Sequence, residues 1–585
     1  MALLLASSAL GQVSGTVVDA RTLAPLPFAR VSRQASEDEV RADDAGRFTL
    51  RAADDAGLTV VGAVPGYFYG SAAVVAPAAG VVLSLEPVDA FDGGYAPESW
   101  TRCSYCHPAQ MQEWQSSPMG RAGLNTWVYD VYDGTGSPGG MGGFVYTRDS
   151  VLAPRNRASE CGACHQPVKW FTEPFSAMDA LDAGTQAVED GVSCDVCHKA
   201  AGIDETKPNF PGLWPSAVRL ARPAPGEQVQ LGVLGDVTFA ETGRMRAAYQ
   251  PQLRAQLCML CHQDKNDPDE DGDFEEPNGV ISEPTYLEWL DSAYAQPDSG
   301  RYLDCVDCHM PPTGAPQACR FPLPADRPPA DVRSHAFPGT TAEFLEDAVS
   351  LTLTLSADAG AVEAIVRVTN DRTGHHVPTG VTIRNVVLLV EATLPDSGEL
   401  PLEQGGRVHP LGGFGDGGWR AGYYGGRPGK LFAKVNHDVQ GRGPAFFTEA
   451  AGITWDNRLP PLATDETRYV FAAPAGGAVH VHARLIYRRS WRALVDAKQW
   501  TTDGHGLPLE DLEPPHFGHL MEEASAAAIV SALPIALEPP PPMPAARLGC
   551  ACGAAVGALP LAVALALAWV RLTRVKASRP RATRK

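Results

Sequence analysis

Five copies of one short pattern constrain this chain more than any other feature. Ten of its thirteen cysteines fall in Cys-x-x-Cys-His: Cys103/Cys106/His107, Cys161/Cys164/His165, Cys194/Cys197/His198, Cys258/Cys261/His262 and Cys305/Cys308/His309. From composition alone the pattern is expected about 0.007 times in a chain of this length, so five copies are not coincidence. Cys319, Cys550 and Cys552 stand outside it. An odd number of cysteines already argues against a simple disulfide framework.

Cys-x-x-Cys-His reads as a c-type haem attachment site. Two thiols three positions apart meet the two vinyl groups of one porphyrin and form thioethers. The adjoining histidine then lies under the ring as proximal iron ligand. Zinc knuckles use similar Cys-x-x-Cys hooks, but they pair two hooks and need no histidine directly after each one. Thioredoxin-like redox motifs need a βαβ setting and do not recur five times. The expectation is therefore five covalent haems c, held by the ten motif cysteines, with His107, His165, His198, His262 and His309 on iron. The first cysteines are spaced 58, 33, 64 and 47 residues apart, so this is no fixed-period repeat. Five sites within about 210 residues imply close packing, with porphyrin supplying much of the core. The local sequence is rich in Gly and Pro, with short helical patterns such as 109–116 and 283–295.

Six-coordinate iron needs a second axial ligand from elsewhere in the chain. His335 in Ser-His-Ala-Phe-Pro-Gly, and His375 in Thr-Gly-His-His-Val-Pro-Thr-Gly, are the expected donors. Met119, close after the first motif, is a thioether candidate that would raise one potential. Taken singly, each would be read as a loop histidine or a packed methionine; five irons needing ligands shift the balance. His437, His480, His482, His505, His516 and His519 stay undifferentiated, although His480 and His482 alternate along a strand pattern and share a face.

Cys-Val-Asp-Cys-His-Met-Pro-Pro (305–312), preceded by Thr-Tyr-Leu-Glu-Trp-Leu-Asp-Ser-Ala-Tyr-Ala (285–295), resembles the last-haem segment of exported multihaem c-type cytochromes. That group includes hydroxylamine oxidoreductase and pentahaem nitrite reductase, and the resemblance implies two histidine ligands on most haems. Gly374 to Gly380 resembles a β-domain element that follows the haem domain in many members, with His375 as the matching histidine. The runs 456–461 and 485–488 fit the same β-domain. The resemblance spans roughly 97–535 and is unspecific for substrate. Pentahaem nitrite reductases carry a catalytic Cys-x-x-Cys-Lys and hydroxylamine oxidoreductases carry eight haems. This chain has no such lysine motif and five sites, so neither activity transfers.

With 585 residues the chain exceeds a single core, and 44% hydrophobic with 20% charged residues is ordinary globular composition. Gly 58 and Pro 50 point to β modules and long connections. The net charge is −20, and the last 15 residues hold seven Lys/Arg and no acid. Residues 1–570 therefore carry 41 basic against 68 acidic side chains, a body of −27 that repels nucleic acid. Alternating runs at 13–18, 48–51, 58–64 and 81–85 read as a small β-sandwich, and Ser14-Gly-Thr-Val-Val-Asp with Asp44-Ala-Gly-Arg-Phe-Thr-Leu resembles the carboxypeptidase regulatory-like domain. Runs at 351–355, 364–368, 386–390 and 479–485 predict a second sandwich. The acidic stretch from Asp267 resembles a calcium loop, with carboxylates at positions 1, 3 and 5 and Gly at 6, but position 12 is Asn278 where an EF-hand has Glu.

Residues 2–10 resemble a signal-peptide apolar segment without its basic flank. Haem attachment in bacteria takes place outside the cytoplasm, which also implies export to the periplasm or cell surface. Pro539–Pro542 begin a stiff linker, and the apolar run 553–570 is long enough to span a bilayer. The basic residues from Arg571 onward then place that end in the cytoplasm. Cys550-Ala-Cys552, the span and the basic tail resemble myxobacterial C-terminal sorting signals; a plain anchor is the alternative. The expected fold is multidomain: a signal remnant (1–11), a β-sandwich (12–88), an irregular, mainly α and loop pentahaem domain (97–340), a β-sandwich-like domain supplying distal ligands (345–535), a Pro-rich linker (536–549), and a Cys motif, transmembrane helix and basic tail (550–585). The expected function is electron relay between redox partner proteins or a quinone pool in the bacterial cell envelope, with an oxidoreductase acting on a small nitrogen or sulfur compound at an open-coordinated haem as the alternative.

Overall fold

The computed structural model describes residues 10–531, except 54–56, 90–93, 225–226, 238–244, 321–325, 359, 396–397 and 414–419. Most of the leader reading (1–9), Cys550, Cys552 and the apolar run 553–570 lie outside the described residues. Residues 10 and 11, read as the end of that leader, instead begin the first strand and pair with Ala53 and Ala52. Among the described residues no helix is long and apolar enough to cross a membrane.

Strand Leu10–Asp19 runs antiparallel to Arg47–Ala53 and parallel to Ala78–Leu85. The facing sheet is ordered Glu39–Arg41, Arg30–Arg33, Gly57–Ala63, Gly70–Val75. Val13, Val17, Val31, Leu50, Val60 and Leu83 close the space between them. The larger sandwich follows the motif region. One of its sheets is ordered Ser350–Asp358, Ala361–Thr369, Thr464–Ala472, Leu402–Gly405. The other is ordered Gly398–Glu399, Asn385–Leu394, Ala478–Arg488, His519–Ile529, with Gly429–Phe432 also on Asn385–Leu394. Val362, Ala364, Val366 and Val368 are buried at a period of two, which fixes register, since a one-residue slip would turn all four to solvent. His480 and His482 share the outward face of Ala478–Arg488, while Val479 and Val481 are buried.

Between the sandwiches regular structure is sparse. Among the described residues the longest helix is Pro108–Ser116, nine residues, too short to be stable by itself. The 283–295 pattern is not one helix: it splits into strand Ile281–Glu283, helix Thr285–Leu290 and the 3₁₀ turn Ala293–Ala295. Pro284, at the N-cap, has no N–H to give and separates strand from helix.

The described residues form one compact unit rather than beads on a string. The first sandwich docks through Tyr69 N–H to Ala247 O (3.2 Å) and the Arg30 guanidinium to Val233 O (3.3 Å). The second reaches back with its 491–512 loop. Trp500 stacks on Trp127 with ring centroids 4.0 Å apart and donates to Asp130 Oδ2 at 2.6 Å. Lys498 Nζ donates to the carbonyls of Asp130 (2.5 Å) and Gly140 (2.6 Å).

Candidate haem-binding site

On a helix, residues i, i+3 and i+4 share one face, so Cys-x-x-Cys-His displays two sulfurs and an imidazole together. All five motifs adopt that turn. Three are the five-residue helices Cys161–His165, Cys194–His198 and Cys305–His309, and a fourth ends Ala255–His262. Helix Trp100–Cys103 runs into the first motif, where His107 N–H donates to Cys103 O at 2.9 Å. The residues between the cysteines face the other way: Ala163, Val196, Met259, Leu260 and Val306 are buried.

Each helix is too short to persist alone, and neighbouring side chains clamp it. In the third motif buried Asp195 accepts from Tyr95 Oη (2.5 Å) and pairs with buried Lys199 (3.4 Å), whose Nζ also donates to Val229 O (2.6 Å). Burial pushes Lys199 below its ordinary pKa, and Asp195 opposes that shift. Asp304 and Asp307 form a capping box on the fifth motif, and Arg254, at the start of the fourth motif's helix, pairs with both carboxylates.

The imidazoles are oriented through Nδ1. His107 Nδ1 meets Ala318 O at 2.7 Å, His198 Nδ1 meets Leu231 O at 2.7 Å, and His309 Nδ1 meets Pro338 O at 2.6 Å. A carbonyl can only accept, so each ring carries its proton on Nδ1 and leaves Nε2 as a free lone pair, the form an iron ligand needs. His262 differs: its Nδ1 faces the Glu283 carboxylate at 3.4 Å. Burial acts to lower His262, and Glu283 outweighs it, so this ring lies above its ordinary pKa. Burial lowers His165, His198 and His309, the last to about 4.

Thiols from different motifs meet. The Cys103 thiol lies beside that of Cys194, Cys164 beside Cys261, and Cys258 beside Cys305. Cys197 lies in the field of Cys261. The first motif therefore adjoins the third, the third adjoins the fourth, and the fourth adjoins both the second and the fifth. None of the ten is disulfide-bonded; nine are half-buried and Cys308 is exposed. Burial pushes the Cys161 and Cys197 thiols up to about 12. A zinc knuckle would gather four Cys or His donors, yet among the described residues the one group of three or more such convergent atoms is Asp267, Asp269 and Asp271. The donor set fits porphyrin attachment and not a zinc cage.

Of the expected distal ligands, His375 is brought beside His309, with ring centroids 6.4 Å apart and planes 16° from parallel. Two metal–nitrogen bonds of about 2 Å plus two ring radii come to roughly 6 Å, so both imidazoles can serve one metal. His375 Nδ1 is tied to His376 O at 3.0 Å. Buried Glu288 fixes this turn, accepting from His376 N–H (3.1 Å) and Thr379 Oγ1 (2.6 Å) while pairing with Arg458 (2.5 Å). His335 has its Nδ1 on Arg333 O (3.0 Å) and lies in the fields of His198 and His107; burial lowers its pKa to about 4. The carbonyl of Met119 accepts from Val192 and Ala122, which puts its backbone against the approach to the third motif. His480 and His482 lie on the outer sandwich face, lining a groove with Glu391 and Ser525.

Two features were not legible from sequence. Cys319 lies beside Cys106, and its neighbours hold the first motif: Ala318 O takes the His107 ring, and Arg320 N–H donates to Cys106 O (2.6 Å). His505 lies in the field of His165. In the acidic loop, Asp267, Asp269 and Asp271 converge within 4.8 Å, while Asn278 Nδ2 donates to Asp269 (3.4 Å) instead of adding a carboxylate.

No family model and no curated protein matches the chain. Among solved structures it is similar to a penta-heme cytochrome c552 from Thermochromatium tepidum, at 23% identity over 74% of this chain and 99% of that chain, with a TM-score of 0.48. It also matches the ASH/PapD-like domain 7 of human CEP192, at 9% identity over 37% of this chain and 96% of that one, with a TM-score of 0.13.

Proposed function

We propose that this chain is a pentahaem c-type cytochrome that relays electrons between redox partners in the bacterial cell envelope. The observation that carries the reading is the approach of thiols from different motifs, first to third, second to fourth and fourth to fifth, with Cys197 of the third in the field of Cys261 of the fourth, so that the five sites form one cluster rather than five separate ones. When bound, each haem supplies a one-electron iron couple. The ten motif cysteines hold the porphyrins, and His107, His165, His198, His262 and His309 bind iron. His335, His375 and Met119 are the proposed distal ligands. The chain's part is to fix each imidazole tautomer, set the order of sites and hold them in a desolvated interior.

In that order the fourth motif is a junction between the third, the second and the fifth. Export, the anchor over 553–570 and delivery to a partner protein or quinone belong to the same proposal, supported by the covalent attachment chemistry and the C-terminal sequence. Bound calcium at the Asp267 loop is a further proposal, resting on the three converging carboxylates. The alternative, an oxidoreductase with one open-coordinated haem, is favoured by one observation: His335, His375 and His505 are three non-motif histidines beside motif histidines, where five irons would take five ligands.

Electron paramagnetic resonance of the oxidised holoprotein separates the two readings. Five low-spin irons are expected for a relay. A high-spin iron whose signal shifts on adding nitrite or hydroxylamine would overturn it in favour of the enzyme.

A further inference from the structure

We propose that His505 is a distal iron ligand paired with His165, delivered to the second motif by the 499–509 loop of the C-terminal sandwich. The inference rests on the haem reading above and goes beyond it, because nothing in the spacing of the sequence distinguishes His505 from five other histidines.

The loop is built to hold this ring in place. Asp503 Oδ1 accepts from both His505 N–H and Leu507 N–H at 2.9 Å and closes the tip into a tight turn. The tip lies on the segment that precedes the helix Thr126–Tyr132. Thr126 N–H donates to Gly504 O at 2.9 Å, and the Arg121 guanidinium donates to His505 O at 2.6 Å. The approach is so close that a Cβ on Gly504 would stand 2.0 Å from Asn125 Oδ1, and a larger residue would have to displace the Asn125 side chain that caps the helix. Behind the tip, the Trp500–Trp127 stack and Lys498 on two carbonyls lock the loop.

The ring itself is not used for any of this. Its Nδ1 is buried and makes no hydrogen bond, an arrangement that costs free energy when nothing offsets it. The second motif shares that footing: the His165 ring lies beside the backbone of Ala122, the residue next to Arg121. A clamped loop, a ring whose Nδ1 is buried without a hydrogen bond, and a motif histidine beside the same 121–122 segment together assign His505 to iron.

The test uses the full-length holoprotein with three substitutions: His505→Ala, His505→Met and, as control, His482→Ala on the outer sandwich face. Covalent haems per chain and spin state are read for each, with and without added imidazole. The expected result for His505→Ala is five haems retained, one of the five irons changed from low to high spin, and low spin restored by imidazole. His505→Met should stay low-spin with one midpoint potential raised, and His482→Ala should match the wild type. Five low-spin irons in His505→Ala without imidazole would overturn the assignment. Should the alanine variant lose a haem, peptide mapping must place the loss at Cys161 and Cys164; loss elsewhere, or unchanged potentials in His505→Met, would also overturn it. Fewer than five haems in the wild type would instead refute the pentahaem reading itself.

Discussion

Nδ1 is the atom at which the motif histidines differ from one another. His107, His198 and His309 rest Nδ1 on neutral backbone carbonyls, and His262 alone of these four faces a carboxylate, Glu283. A carboxylate beside Nδ1 makes the imidazole a stronger electron donor and favours the oxidised iron. Glu283→Gln should therefore raise one midpoint potential by on the order of 60 mV, a tenfold change in a one-electron equilibrium. Spectroelectrochemistry of the five couples checks this, and five unmoved potentials would contradict it. The distinction could not be read from sequence, because Glu283 reaches His262 across the small sheet that pairs Asp264 with Glu283. His335 and His375 were legible as candidates from their Pro- and Gly-flanked turns, and the geometry that pairs His375 with His309 was not.

Elements matter here as carriers. The motif helices were legible because a five-residue pattern at i, i+3 and i+4 is itself a helical turn. The loop of the second sandwich was not, because its residues show no periodicity and gain their order from contacts more than 350 positions away, such as Trp500 on Asp130. Asp511 secures the base of that loop, accepting from the N–H groups of Arg489 (3.2 Å) and Ser490 (3.4 Å). Burial pushes its carboxyl from 3.8 up to about 6, and Arg488 opposes the shift. Between those values the folded chain holds a proton there that the unfolded chain has released. Its contribution to stability is thus full below about pH 4 and is lost as pH rises through about 6. Asp511→Asn removes this dependence, so the stability of the variant minus that of the wild type should grow by up to about 3 kcal/mol from pH 4 to pH 7. Urea unfolding of both proteins at the two pH values measures it, and a difference that stays flat would contradict the account.

At the scale of the whole molecule, two β-sandwiches with their own apolar cores flank a region whose helices are too short to stand alone. The alternating runs and the five motifs made that division readable. What they left open was order: contacts between motifs are tertiary, and nothing in the spacings of 58, 33, 64 and 47 residues says that the fourth motif adjoins three others. The account needs the prosthetic groups to share the interior of that region with buried side chains such as Trp170, Phe171 and Trp289. The most direct test is intact mass with haem quantitation on the full chain matured in a host that attaches haem covalently. Five covalent haems per chain, bound at the ten motif cysteines and leaving Cys319 free, is the predicted result. Fewer than five, or zinc at any of the five motifs, would contradict it.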